Sequence, residues 1–146
     1  MQLLFQRLDP GAKTPVYATP GAAAADLCAL LKAPLTLAPG GRAAVPTGLA
    51  IQLPGPQFVA LVCARSGLAV KHGVTLSNGV GVIDSDYRGE IRVGLVNLGP
   101  EPYTIQPGER IAQLMVLPVA RPDFAEAEQL TPTARGAGGF GSTGRA

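Results

Sequence analysis

The sequence predicts an all-β domain with one short helix, and three observations carry that expectation. Fourteen prolines and nineteen glycines punctuate a chain of 146 residues, at a spacing of about eight to twelve residues. Tight-turn sequences stand at those points: Ala38-Pro39-Gly40-Gly41, Leu53-Pro54-Gly55-Pro56 and Gln106-Pro107-Gly108-Glu109. Between them lie short β-favouring runs, a pattern that suggests a sandwich or barrel.

In chain order the predicted strands cover residues 3–7, 35–37, 48–53, 58–63, 79–83, 91–98, 103–105 and 111–118. Ala23-Ala24-Ala25-Asp26-Leu27 reads as a further apolar strand that carries one carboxylate. A single segment, residues 66–71, invites a helix of a turn or two. Ser66 could cap it and Gly73 could end it.

Composition bounds the function. With 47% apolar and 15% charged residues the chain buries a core, and no apolar run is long enough to span a membrane. The N-terminus lacks the apolar stretch of a signal peptide, so a cytoplasmic protein is expected. A net charge of +2, with Lys13, Lys32, Arg42 and Lys71 scattered, argues against nucleic acid as a partner. Cys28 and Cys63 stand alone and His72 is the sole histidine, which excludes a structural zinc site. Both cysteines read as small buried apolar residues. A metal, if used, is a hard ion on oxygens, magnesium with a phosphorylated ligand.

The run Gly81-Val82-Ile83-Asp84-Ser85-Asp86-Tyr87-Arg88-Gly89-Glu90 concentrates three carboxylates, an aromatic ring and a guanidinium between two strands. A strand core has no use for so much charge; a site on a rigidly held loop does. Asp26 is costly in its apolar run unless paired, or hydrated near a metal. Arg65 and Ser66 stand where a strand gives way to the short helix, a geometry suited to an anion. Arg110 and Gln113 interrupt another apolar strand. The last sixteen residues hold five glycines and one large apolar residue, Phe140, and alone should be mobile. Their run Arg135-Gly136-Ala137-Gly138-Gly139-Phe140-Gly141-Ser142-Thr143-Gly144 offers amides, hydroxyls and an arginine to phosphates, and a ring to a base. It has no Walker ending. The inventory describes a nucleoside polyphosphate ligand and leaves the reaction open.

Five segments, at residues 23–27, 64–69, 81–90, 108–114 and 135–144, resemble in order and spacing the five motifs of the trimeric dUTP pyrophosphatases. The third and fifth match almost letter for letter. The resemblance implies a distorted jelly-roll β-barrel over residues 1–130 and a flexible glycine-rich arm, residues 131–146, that closes over a neighbour's site. It implies a homotrimer with active sites shared between subunits, dUTP as substrate, and magnesium as cofactor. Asp84 matches the aspartate that activates water for attack on the α-phosphorus. Tyr87 matches the tyrosine that packs under the deoxyribose and excludes a 2′-hydroxyl. Asn78, with hairpin groups at Gly79, Val82 and Ile83, corresponds to the uracil reader. Arg65, Ser66, Gly67 and Gln113 correspond to phosphate contacts, and Asp26 to a carboxylate that holds magnesium through water. Arg135, Gly141, Ser142 and Thr143 match phosphate-gripping arm residues, and Phe140 the ring stacked on uracil. Asp86 and Glu90 are expected to be hairpin and interface residues, and Arg88 to pair with a carboxylate. The alternatives are a dCTP deaminase of the same fold and a non-catalytic nucleotide-binding trimer.

Overall fold

The computed structural model describes residues 1–139. Eleven strands and one helix follow one another as β1 (Leu4–Arg7), β2 (Ala25–Cys28), β3 (Leu35–Leu37), β4 (Arg42–Pro46), β5 (Leu49–Gln52), β6 (Phe58–Ala64), α1 (Ser66–His72), β7 (Val74–Leu76), β8 (Gly81–Ile83), β9 (Arg92–Asn97), β10 (Tyr103–Ile105) and β11 (Arg110–Pro118). The predicted all-β class with one short helix is the one observed. Strand pairing, antiparallel throughout, divides the wall around the core into four sheets: β1-β5, β10-β3, β2-β11-β6-β8 and β4-β9-β7.

Two strands escaped the sequence reading. β4 ends on Pro46, and as an edge strand it loses little from the missing N–H. β7 is three residues long, too short for a period to register. The helix also starts differently. Arg65, not Ser66, is the N-cap, in extended conformation and without a side-chain cap hydrogen bond; Gly73 ends the helix with φ of 70°. A β-carbon at Gly73 would lie 2.3 Å from the Gly99 nitrogen, so space and dihedral both demand glycine.

The four-stranded sheet shows the alternation that a one-sided core requires. Leu27, Ala60, Val62, Ile83, Ala112 and Leu114 turn inward and are buried. They join Val45, Leu49, Ile51, Val74, Leu76, Val93, Leu95 and Ile105 from the other sheets in one cluster. The opposite face carries Val59, Leu61, Cys63, Val82, Gln113, Met115 and Leu117, all partly or fully exposed. The two cysteines are free and only half-buried, so full burial was not the correct expectation. Partial burial still pushes the Cys28 thiol up from its ordinary value, against the pull of nearby Lys13.

Two polar residues stitch the core. Tyr103 donates to the Glu109 carboxylate, and burial, then that hydrogen bond and charge, push its phenol up to about 12. Asn97 is fully buried, and its amide donates to the carbonyls of Leu37 (2.9 Å) and Glu101 (2.7 Å) while accepting from Gly99 N (2.9 Å). Asn97→Leu keeps the volume and strands those partners in an apolar setting, at a cost of roughly 1–3 kcal/mol for each group left unmade. We expect a urea unfolding midpoint clearly below that of the wild type at equal protein concentration; an unchanged midpoint would show that the three bonds are dispensable.

Candidate active site

Asp26, Gln113 and Cys63 stand in one row across β2, β11 and β6, on the face turned away from the core. Asp26 is nevertheless only 7% exposed. It is paired, one of the two conditions that its apolar setting imposed. Arg65 Nε lies 3.2 Å from Oδ1, and Arg110 Nη1 donates to Oδ2 at 3.0 Å. Arg65 also donates from Nη1 to the Arg110 carbonyl at 2.9 Å. The Arg65 contact is an ion pair poorly aligned for hydrogen bonding, so Asp26 Oδ1 and Arg65 Nε have no hydrogen-bond partner among the described residues.

The role of Arg110 was not read from the sequence, although a signal was present. In Arg110-Ile111-Ala112-Gln113 two apolar residues adjoin where a strand should alternate. A β-bulge between Arg110 and Ala112 resolves the conflict. Ile111 and Ala112 both enter the core, and Arg110 turns to the face of Asp26. Asp26, Cys28, Arg65 and Arg110 line an open cavity of about 810 Å³ with Arg7, Lys13 and Thr14. Ser66 and Gly67 follow Arg65 at the start of α1 and are exposed.

A second cavity, of about 270 Å³, is lined by Asn78, Gly81, Val82, Ile83, Asp84, Tyr87 and Glu90, together with Arg92 and Gly94 of β9. β8 delivers this group: Gly81, Val82 and Ile83 pair with Val62, Leu61 and Ala60 of β6, and the strand ends one residue before Asp84. Asp84 is exposed, and its carbonyl accepts from Tyr87 N at 3.2 Å, closing the turn between them. Tyr87 is half exposed; its hydroxyl donates to the Glu90 carbonyl at 2.9 Å. Gly79 stands at φ 73° in the turn before β8, outside the cavity lining. Among the described residues Arg88 does not make the expected pair with a carboxylate. Its Nη1 donates to the carbonyls of Ser85 and Tyr87, both at 2.8 Å, and so braces the hairpin from within.

On one chain the structure therefore forms two groups that share no cavity-lining residue. Asn78, Val82, Ile83, Asp84 and Tyr87 belong to one, and Asp26 and Arg65 to the other. Gln113 sits beside Asp26 in the register of β11. Arg135 joins neither; its Nε donates to the Gly138 carbonyl at 2.8 Å, within its own segment. Phe140, Gly141, Ser142 and Thr143 lie outside the described residues.

The likenesses to known proteins extend over nearly the whole chain. The dUTPase family model matches residues 11–144. A deoxyuridine 5'-triphosphate nucleotidohydrolase of Desulfitobacterium hafniense is 55% identical over 144 residues, covering 99% of this chain and 95% of that protein. Its namesake in Aeromonas hydrophila is 50% identical over 145 residues, with the same coverage. Among solved structures, a Staphylococcus bacteriophage 80alpha dUTPase mutant with dUpNHpp superposes with a TM-score of 0.89 at 24% identity, over 99% of both chains. That of phage phi11, described with a structural Mg(II) ion, gives 0.80 at 21% identity over 90% of this chain and all of the other. Its fold, and a sequence half shared with these relatives from end to end, make this chain a member of the dUTPase family.

Proposed function

We propose that this chain is a cytoplasmic dUTP diphosphatase, hydrolysing dUTP to dUMP and pyrophosphate at sites that three copies complete together. One observation carries the reading. The Asp84–Tyr87 hairpin and the Asp26–Arg65 face line separate cavities of one chain, yet a nucleoside triphosphate needs its base, sugar and phosphates held together. The outer face of the four-stranded sheet supports assembly. Val59, Leu61, Val82, Met115 and Leu117 form an apolar stripe, with Val82 61% exposed, of the kind that a partner subunit covers. The substrate follows from relatives named for it at 50–55% identity.

In this reading the hairpin handles the base and sugar. Asn78 and backbone groups at Gly79, Val82 and Ile83 read uracil, and the Tyr87 ring packs under deoxyribose. Arg65, Ser66, Gly67 and Gln113 of another copy contact the phosphates. The described part of the chain after β11 supports an arm. Residues 119–139 contain no strand or helix, and their hydrogen bonds beyond the first residue are local, as from Gly136 N to the Thr133 carbonyl and Gly138 N to that of Arg135. The arm, residues 131–146, brings Arg135, Phe140, Gly141, Ser142 and Thr143 to a neighbour's ligand.

Asp84 accepts a proton from water as the water oxygen bonds to the α-phosphorus. The bond from that phosphorus to the bridging oxygen breaks, and pyrophosphate leaves. A carboxylate is a weak base, so its contribution lies in position. The residues also suit a magnesium ion brought by the phosphates. No cluster of three or more His, Cys, Asp or Glu exists among the described residues to cage a metal, and magnesium favours phosphate oxygens and water over all-protein cages. Asp26, paired with two guanidinium groups, keeps a buried oxygen without a hydrogen-bond partner among the described residues, an acceptor for a metal-bound water. When bound, the ion supplies charge neutralisation to the phosphates.

With magnesium, the purified protein should release dUMP and pyrophosphate from dUTP while sparing dCTP, dTTP and UTP; ammonia release from dCTP would instead identify a deaminase. Asp84→Asn should keep nucleotide binding and lose about 10²–10⁴-fold in kcat, measured by single-turnover product formation. Near-normal turnover in that variant would remove Asp84 from the proton transfer.

A further inference from the structure

Beyond β8, the hairpin that carries Asp84 and Tyr87 is fastened to the turn between β4 and β5, and among the described residues Glu90 is the hairpin side chain that takes part. Its Oε1 accepts from the backbone N–H of Gly48 at 2.8 Å, a partly buried bond between residues 42 positions apart. Two further bonds join the same two segments. Thr47 Oγ1 donates to the Ile91 carbonyl at 2.6 Å, and Ile91 N donates to the Leu49 carbonyl at 2.7 Å. Thr47, Leu49 and Ile91 are all buried, so the turn between β4 and β5 is a fixed anchor. Of the three bonds only that of Glu90 is made by a side chain of the hairpin, and as an ionised acceptor it is the strongest in kind.

This anchor bears on Tyr87. The tyrosine hydroxyl donates to the Glu90 carbonyl, the main-chain group of the same residue whose side chain is pinned. The ring lies against Gly89, where a β-carbon would stand 2.4 Å from the hydroxyl oxygen and 2.6 Å from Cζ. The ring pose is thus set by a hydrogen bond to one neighbour and close packing on another, before any ligand arrives. We infer that Glu90 is a positioning residue for sugar discrimination: its side chain, pinned to Gly48 N, steadies the main-chain carbonyl that receives the Tyr87 hydroxyl, and so fixes the ring in the pose that excludes a 2′-hydroxyl. This rests on the reading of the site as one for dUTP. A ring free to tilt admits a ribose, whereas a ring tethered at its hydroxyl does not.

The test measures kcat/KM for dUTP and for UTP in the wild type, Glu90→Ala, Glu90→Gln, Tyr87→Phe and the Glu90→Ala/Tyr87→Phe double variant. Glu90→Ala should lower the dUTP-to-UTP ratio by about tenfold, chiefly through improved use of UTP, the equivalent of one hydrogen bond. Glu90→Gln keeps an acceptor for Gly48 N and should restore most of the wild-type ratio. Tyr87→Phe, which removes the tether from the other end, should lower the ratio as well, and the double variant should lose little more than either single one. An unchanged ratio in Glu90→Ala, or no rescue by Gln, overturns the inference even if the variants are less stable. If Glu90→Ala does not fold, an unchanged ratio in Tyr87→Phe overturns it, and a lowered ratio together with a wild-type ratio in Glu90→Gln supports it. Failure of the wild type to hydrolyse dUTP is a separate result, which strikes the proposed function itself.

Discussion

A buried carboxylate between two guanidinium groups is the constraint on which the outer face of this domain depends. Asp26 sits in the middle of β2, beside Gln113 of β11 and in reach of the residue that follows β6. An ionised carboxylate in that position is unaffordable alone and tolerable when paired. The pairing reaches both ways along the sheet. It holds Arg65 at the strand-to-helix junction, and it holds Arg110 over β2 through the bulge that re-aims it. Removing either arginine would leave Asp26 with one partner, whereas removing Asp26 would leave two guanidinium groups without their counter-charge. The same charge set therefore shapes the local fold and, in the proposed function, supplies the groups that face a phosphate chain.

The second cavity follows a different logic. It contains no ion pair among the described residues; its order comes from strand pairing, a backbone turn, and bonds from the side chains of Tyr87, Arg88 and Glu90 to main-chain groups. β8 pairs with β6 over three residues, and the hairpin beyond it is closed by Tyr87 N on the Asp84 carbonyl and braced by Arg88. Asp84 is left exposed at the strand's end, and its side chain makes no hydrogen bond among the described residues, which suits the proposed role of taking a proton from water. Rigidity in the support and freedom in the reacting carboxylate are compatible because different atoms carry them.

Much of this was legible in the sequence. Proline and glycine spacing gave the all-β class because turns demand those residues whatever the tertiary context. The excess of charge around Asp84 and the lone Asp26 marked both halves of the site, because apolar strands do not tolerate such groups without a reason. Other features were hidden for physical reasons. The Arg110 ion pair depends on a bulge, and a bulge appears in sequence only as a small break in alternation. The cap at Arg65 uses backbone geometry rather than a hydroxyl, so Ser66 misled. The Glu90–Gly48 bond joins segments far apart in sequence, and no local pattern encodes its partner. The separation of the two cavities on one chain was implied by resemblance alone and could not be read from composition or spacing.

That separation is the central claim, and mixing two inactive chains tests it directly. On the proposed roles, Asp84→Asn lacks the proton acceptor, and Arg65→Gln lacks a phosphate contact while Arg110 still pairs Asp26. Each variant assembled alone should be nearly inactive. Unfolded and refolded together in equal amounts, the chains of the proposed trimer mix so that about a quarter of the sites combine an intact Asp84 with an intact Arg65 from another copy. Recovery of about a quarter of wild-type activity is the expected result. If the mixed and refolded protein stays as inactive as its parents, the two residues serve a site within one chain, and the shared-site account is wrong.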